Sequence, residues 1–264
     1  MEKSSPSLPL ACRVAIVTGG SRGIGRAITV HLQSLGAKVV INYASNSNQA
    51  DLLVAELNSA VNSSSPLVAI AVRADVLNPD QVKTLFDRAE EDFGCQAHIL
   101  VNCAGVLNPK YPIVANTTVA DWDMMLNVNA EGAFLYCREA TNRLTHEGRG
   151  RIIMITTSLV VGSLLPGHAG YVALKATVET MTKIVAKELK GSGITANCVA
   201  PGPVATEMFF SGKTEEMVKG VADACPLGWV GKPDDISGIV GFLAGDAGEW
   251  INGQIIRANG EFFI

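Results

Sequence analysis

The stretch that most constrains this chain is the junction over residues 13–35. An apolar run at 13–17 leads into TGGSRGIG at 18–25, after which Ile24, Ala27, Ile28, His31, Leu32 and Leu35 recur at helical spacing until Gly36. Strand, glycine turn and helix in that order let a backbone approach a pyrophosphate, whose charge then meets the free N–H groups and positive dipole end of the helix. The pattern is TGxxxGxG rather than GxGxxG. A glycine cluster alone is as often just a tight turn; the strand and helix on either side give it a ligand reading.

The same alternation continues along the chain. Strand patterns fall at 38–41, 67–72, 98–101, 151–155, 194–199 and 254–257, and helical ones at 49–60, 78–93, 121–143, 171–189 and 233–243, with an irregular region before 233. Parallel neighbours require crossover connections, so the pattern predicts an α/β fold. It is a doubly wound, seven-stranded, mainly parallel sheet with helices on both faces, in three layers, α/β/α. Ligands bind beyond the carboxyl ends of such strands. Gly19, Asp75, Asn102, Ser158 and Pro201 each follow a predicted strand.

With 264 residues, 48% of them hydrophobic, and no Pro- or Ser-rich internal linker, the chain reads as one domain over 13–264 behind a flexible lead-in at 1–12. The only low-complexity segment is the Ser/Asn stretch at 62–65. A net charge of -4 without a Lys/Arg run argues against nucleic acid or an anionic membrane as partner. No stretch approaches the roughly 18 apolar residues of a membrane span. The six cysteines are scattered without a CxxC pair, which predicts reduced thiols in a cytoplasmic or similar compartment, a plastid being left open. The four histidines lack metal-ligand spacing, and no metal is expected.

Tyr171 and Lys175 stand four residues apart where a helix is predicted, which puts a cation beside a phenol on one face. A phenol of ordinary pKa near 10 is a poor acid at neutral pH, and a neighbouring positive charge lowers it. By itself that spacing is also compatible with a half-buried Tyr and a solvated Lys. At the end of the second strand, where NAD-binding folds place an acidic residue, the chain has Asn42, Tyr43, Ala44 and Ser45. Without that carboxylate, and with the Arg22 guanidinium in the glycine turn, the expected cofactor is NADP(H) rather than NAD(H). The alternative is a solvated Arg22 beside a merely polar loop.

With these residues placed, the chain resembles the short-chain dehydrogenase/reductase family from about Arg13 to Gly260. The resemblance rests on TGGSRGIG at 18–25, Asp75-Val76, NCAG at 102–105, Asn129, Ser158, the thirteen-residue step to Tyr171, Tyr171-x-x-x-Lys175, and Pro201-Gly202 with Thr206. In the stretches ITANCVAPGPVATEMFF at 194–210 and VGFLAGDAGEWINGQIIRANG at 240–260, it resembles plant NADPH-dependent aldehyde reductase-like enzymes within that family. The resemblance implies a Rossmann fold and reduction of an aldehyde or ketone. Tyr171 would donate the proton, Lys175 would lower its pKa and hold the nicotinamide ribose, Ser158 would steady the carbonyl, and Asn129 would hold a relay water. Gly19, Ser21, Arg22, Gly23, Ile24 and Gly25 would cradle the pyrophosphate. Asp75 and Val76 would contact the adenine, Asn102, Ala104 and Gly105 would flank the cofactor, and Pro201, Gly202, Val204 and Thr206 would approach the nicotinamide.

For the small-molecule carbonyl substrate, the expected walls are the 162–170 loop and a lid at 203–225 carrying Met208 and Phe209, for which ordinary packing is the competing reading. His168 either lines the pocket or lies on the surface. Three residues depart from the family pattern: Cys103 for a second Asn, Glu261 for a Gly, and Trp229 for an Arg. The family also implies a homotetramer, or a homodimer, built on the helices at 121–143 and 171–189. Two rival functions stay open: specialised chemistry such as imine reduction or cyclisation, and a silent cofactor-binding scaffold.

Overall fold

The computed structural model describes residues 8–60, 67–146, 149–162 and 164–262; the Ser/Asn stretch at 62–65 and Ser163 lie outside them. The elements run β1 (Val14–Thr18), α1 (Gly23–Ser34), β2 (Lys38–Tyr43), α2 (Ser47–Ser59), β3 (Ala69–Arg73), α3 (Pro79–Phe93) and β4 (Ile99–Asn102). They continue with α4 (Val119–Leu126), a π-helical turn (Asn127–Gly132), α5 (Ala133–Arg143), β5 (Arg151–Ile155), α6 (Ala169–Glu188) and β6 (Thr195–Pro201). The last are α7 (Glu207–Phe210), α8 (Glu215–Ala224), α9 (Pro233–Ala244) and β7 (Ile255–Ala258).

Among the described residues, seven strands form one sheet in the order β3-β2-β1-β4-β5-β6-β7, every pair parallel. Strand side chains alternate between faces, and each face builds its own core. Val14 and Ile16 of β1 join Leu85 and Phe86 of α3, Tyr136 of α5 and Val178 of α6. Ala15 and Val17 join Ile28 and Leu32 of α1, Leu53 of α2 and Val240 of α9. All five residues of β1 are buried, as expected of a strand with helices on both faces. Each fully buried Val, Leu or Ile contributes about 1.5–3 kcal/mol.

Helix ends follow local chemistry. The Asn78 side chain accepts from the N–H groups of Asp80 and Gln81, Pro79 occupies the first turn, and Gly94 at φ 71° closes α3 in the left-handed region. Sheet order reverses between β1 and β4, the place where ligands bind beyond the carboxyl ends in doubly wound sheets.

Three expectations change. The region before Pro233 is not irregular: it holds α7 and α8, whose first turns are capped by Thr206, accepting from Phe209 N–H, and Thr214, accepting from Met217 N–H. The long helix at 121–143 is two helices joined by the π turn that carries Asn129. Within the lead-in expected to be flexible, whose residues 1–7 lie outside the described ones, Leu10 is instead fully buried and its N–H donates to the Leu35 carbonyl at 2.8 Å.

Candidate active site

The glycine turn and the end of β4 are stapled by Thr18. Its hydroxyl donates to Asn102 Oδ1 at 2.9 Å and accepts from the N–H groups of Cys103 and Ala104, each at 3.0 Å. A Cβ at Gly25 would stand 2.2 Å from the Gly19 carbonyl oxygen, so the turn closes only on glycine. Arg22 precedes α1 without a side-chain cap, which leaves the first N–H groups of the helix available to an anion. A dinucleotide pyrophosphate therefore fits this cradle by shape and charge. Ser21 is buried, Arg22 is exposed, and the Arg22 guanidinium lies 3.5 Å from the Glu207 carboxylate at the start of α7. A Cβ at Gly23 would lie 3.4 Å from Thr206, so the segment after β6 runs alongside the turn. Within that segment Val204 is a core residue and bridges Gly231.

Asn42 points inward. Its amide donates to the Ala74 carbonyl at 3.0 Å and its oxygen accepts from the Tyr136 hydroxyl at 3.2 Å; of the rest of that strand end, Ala44 and Ser45 are exposed, while Tyr43 is partly buried against the core on the other face. Asp75 is exposed and accepts from Leu77 N–H at 3.1 Å, while Val76 is buried.

The four candidate catalytic residues arrive from three elements: Asn129 from the π turn, Ser158 from the short 3-10 turn after β5, and Tyr171 and Lys175 from α6. Asn129 sits in the π turn, a geometry that recurs at functional sites. It clasps Val106 reciprocally, accepting from its N–H at 3.1 Å and donating to its carbonyl at 2.8 Å. Gly105 lies between Asn129 and Lys175: a Cβ there would be 3.0 Å from Asn129 Oδ1 and 3.4 Å from Lys175 Nζ. Lys175 donates to the Ile155 carbonyl at 2.9 Å and lies 5.8 Å from the Tyr171 ring centroid. Ser158 is fully buried, and its hydroxyl donates to the Ala200 carbonyl at 2.7 Å. The neighbouring hydroxyls are used structurally: Thr156 donates to Glu179 at 3.1 Å, and Thr157 accepts from Leu159 N–H at 3.4 Å.

The electrostatics of the free site differ from the expected lowering of the tyrosine by the lysine. Burial pushes the Tyr171 phenol up, with Cys103 adding to the rise, and burial pushes Lys175 down to about 8. Both follow from removing a charged form from water. Tyr171 therefore keeps its proton at neutral pH. Burial also raises the Cys103 thiol to about 11.

Two further residues, Tyr111 and Lys213, were not legible from the sequence. They meet His168, which was expected either to line the pocket or to lie on the surface, beside α7, which carries Met208 and Phe209, and no sequence spacing links the three. Tyr111 and His168 have ring centroids 4.9 Å apart, so His168 faces this cluster. Of the family departures, Glu261 takes a left-handed φ of 65° and Trp229 is exposed.

The chain matches the family described as enoyl-(acyl carrier protein) reductase over residues 19–260. It is 56% identical over 264 residues, covering 98% of this chain and 97% of the relative, to the NADPH-dependent aldehyde reductase-like protein, chloroplastic, of Arabidopsis thaliana. It is 51% identical over 256 residues, covering 95% of this chain and 92% of the relative, to a short-chain type dehydrogenase/reductase of Picea abies. Among solved structures, a short chain dehydrogenase from Burkholderia cenocepacia in complex with NADP superposes with a TM-score of 0.87 at 33% identity, covering 96% of this chain and 99% of the other. With matches of this extent behind the same fold, the chain belongs to the short-chain dehydrogenase/reductase family.

Proposed function

We propose that the protein is an NADPH-dependent oxidoreductase that reduces an aldehyde or ketone to the alcohol, with Tyr171 as the proton donor. The observation that carries this reading is the convergence of Asn129 and Lys175 on Gly105, with Lys175 beside the Tyr171 ring at the end of β5. The names of the Arabidopsis relative and of the Burkholderia complex support the choice of cofactor.

The glycine turn and the first N–H groups of α1 would hold the pyrophosphate, Arg22 with residues 43–45 the adenosine 2′-phosphate, and Asp75 and Val76 the adenine. Asn102, Ala104 and Gly105 would flank the dinucleotide, and Pro201, Gly202, Val204 and Thr206 would bound its nicotinamide end. The bound nicotinamide supplies the hydride.

Tyr171 keeps its proton in the free site and faces a carbonyl oxygen that becomes an alkoxide, a far stronger base than a phenolate. Proton transfer from a phenol of raised pKa is then downhill. Lys175 places a cation beside that phenol and stabilises the negative charge it acquires. Ser158 exchanges the Ala200 carbonyl for the substrate oxygen by rotating its hydroxyl, and Asn129 fixes the Val106 backbone next to Gly105, beside which Lys175 lies. Met208 and Phe209 form part of the substrate wall.

We further propose self-association through the groove between α5 and α6, where Phe134 and Ile184 are half exposed. Sedimentation as a monomer at micromolar concentration would contradict this. The six unpaired cysteines fit a reducing compartment. The test of the activity is loss of nicotinamide absorbance with NADPH and with NADH on small and aromatic carbonyl compounds. The reading requires turnover of at least one carbonyl with NADPH, and no oxidation of NADPH on any of them would contradict it.

A further inference from the structure

We propose that Tyr111 and Lys213 form a latch that holds α7 closed over the catalytic residues and so sets which carbonyl compounds reach Tyr171. What the latch admits rests on the reductase reading; that it closes the segment rests on geometry alone.

Three chain segments meet there. One follows β4 and carries Tyr111, one immediately precedes the α6 helix that bears Tyr171 and carries His168, and one leaves α7 and carries Lys213. The Lys213 ammonium donates to the Tyr111 phenol oxygen and to the Phe209 carbonyl, the latter at 2.8 Å. It lies 4.5 Å from the Tyr111 ring centroid and 5.0 Å from that of Phe209. The Tyr111 hydroxyl in turn donates to the Ser211 carbonyl at 3.2 Å. One phenol thus holds both ends of the turn that follows α7.

The backbones touch as well. A Cβ at Gly212 would stand 2.3 Å from the Pro109 carbonyl oxygen, and one at Gly167 would stand 2.4 Å from the Tyr111 carbonyl oxygen. Both glycines have positive φ, so sequence and conformation are matched to close contact. Tyr111 itself sits at φ 48°, a strained conformation for a residue with a Cβ, which persists only where the surroundings over-determine it. This is a built contact and not two loops passing. The hydrogen-bond partners of Lys213 in it are neutral, so opening separates no ion pair, and the segment can open and close during turnover.

The latch is read by hydrogen–deuterium exchange of the full protein, with NADPH oxidation measured alongside. Tyr111→Phe keeps the ring and loses both hydrogen bonds of the phenol; Lys213→Met keeps the apolar stem. In each variant the amides of residues 209–213 exchange about tenfold faster than in the parent, the effect of losing one or two net hydrogen bonds. The ratio of kcat/KM for a bulky aromatic ketone to that for a small aldehyde rises about fivefold as access widens. Lys213→Arg restores the parent exchange and the parent ratio. If Tyr111→Phe folds poorly, Lys213→Met decides the outcome. Exchange within twofold of the parent overturns the latch, and faster exchange with an unchanged ratio overturns its role in selecting substrates. Because exchange needs no turnover, a protein that reduced no carbonyl would sink the reductase reading while the exchange data still decided the closure.

Discussion

The ammonium of Lys175 donates to the main-chain carbonyl of Ile155 at 2.9 Å while lying 5.8 Å from the ring centroid of Tyr171. The lysine is therefore anchored to the last residue of β5, three residues before Ser158, and its position is set by the sheet and not by the phenol. Being buried, it gives up water without gaining a carboxylate, and its pKa falls.

That fall has a sign for stability. The folded chain releases the Lys175 proton near pH 8, whereas the unfolded chain keeps it to about the ordinary 10.5. Between those values the unfolded state binds more protons, so this residue's contribution to stability rises with pH; below that window the cost of the buried charge is fully present. The stability difference between the parent and Lys175→Met shifts toward the parent by up to roughly 3 kcal/mol across the window. Urea unfolding at stepped pH measures it, and NMR titration of the lysine in the cofactor-free protein gives a midpoint near 8. A lysine midpoint no lower than its ordinary 10.5 would contradict the burial account.

Arg22 is the only cation in the glycine turn, and its present partner is an exposed carboxylate, Glu207, at 3.5 Å. An exposed pair of this kind contributes little and yields readily to a phosphate. Arg22→Ala raises KM for NADPH by about 10- to 100-fold, the loss of a charge-assisted contact, and leaves KM for NADH nearly unchanged. Equal effects on both cofactors would move Arg22 from the 2′-phosphate to the pyrophosphate.

Glu261 stands at φ 65°, in the region that glycine enters without penalty, and is exposed. Glu261→Gly relieves about 1 kcal/mol of backbone strain and raises the melting temperature by about 2–4 °C. Calorimetry showing a lower melting temperature would mean that the Glu261 side chain contributes more than its backbone costs.

The strand–helix order and the strand-end positions were legible because a parallel sheet writes itself as apolar runs broken by helical periodicity. What the sequence hid was side-chain direction and loop contact. Asn42 reads as an outward polar residue at a strand end, yet its partner Tyr136 lies 94 positions away and turns it inward. Leu10 reads as part of a loose leader and is core, since the burial that fixes it comes from a distant helix end. The caps of α7 and α8, Thr206 and Thr214, are visible once looked for, each followed by a Glu, but short helices leave too few turns for a periodic signal. Tyr111 and Lys213 are 102 residues apart and meet only through the shape of two loops. The tyrosine–lysine spacing did place both residues on one helix, but burial and the Ile155 carbonyl set their ionisation in the free protein.

The most direct test of the account is NADPH oxidation by Tyr171→Phe on whichever carbonyl the parent reduces best, with NADPH binding followed separately by fluorescence. The account predicts a rate about 100- to 10,000-fold below the parent, the worth of a positioned proton donor, with NADPH still bound. A variant that binds NADPH and reduces the carbonyl at the parent rate would show that the proton comes from elsewhere and contradict the central claim.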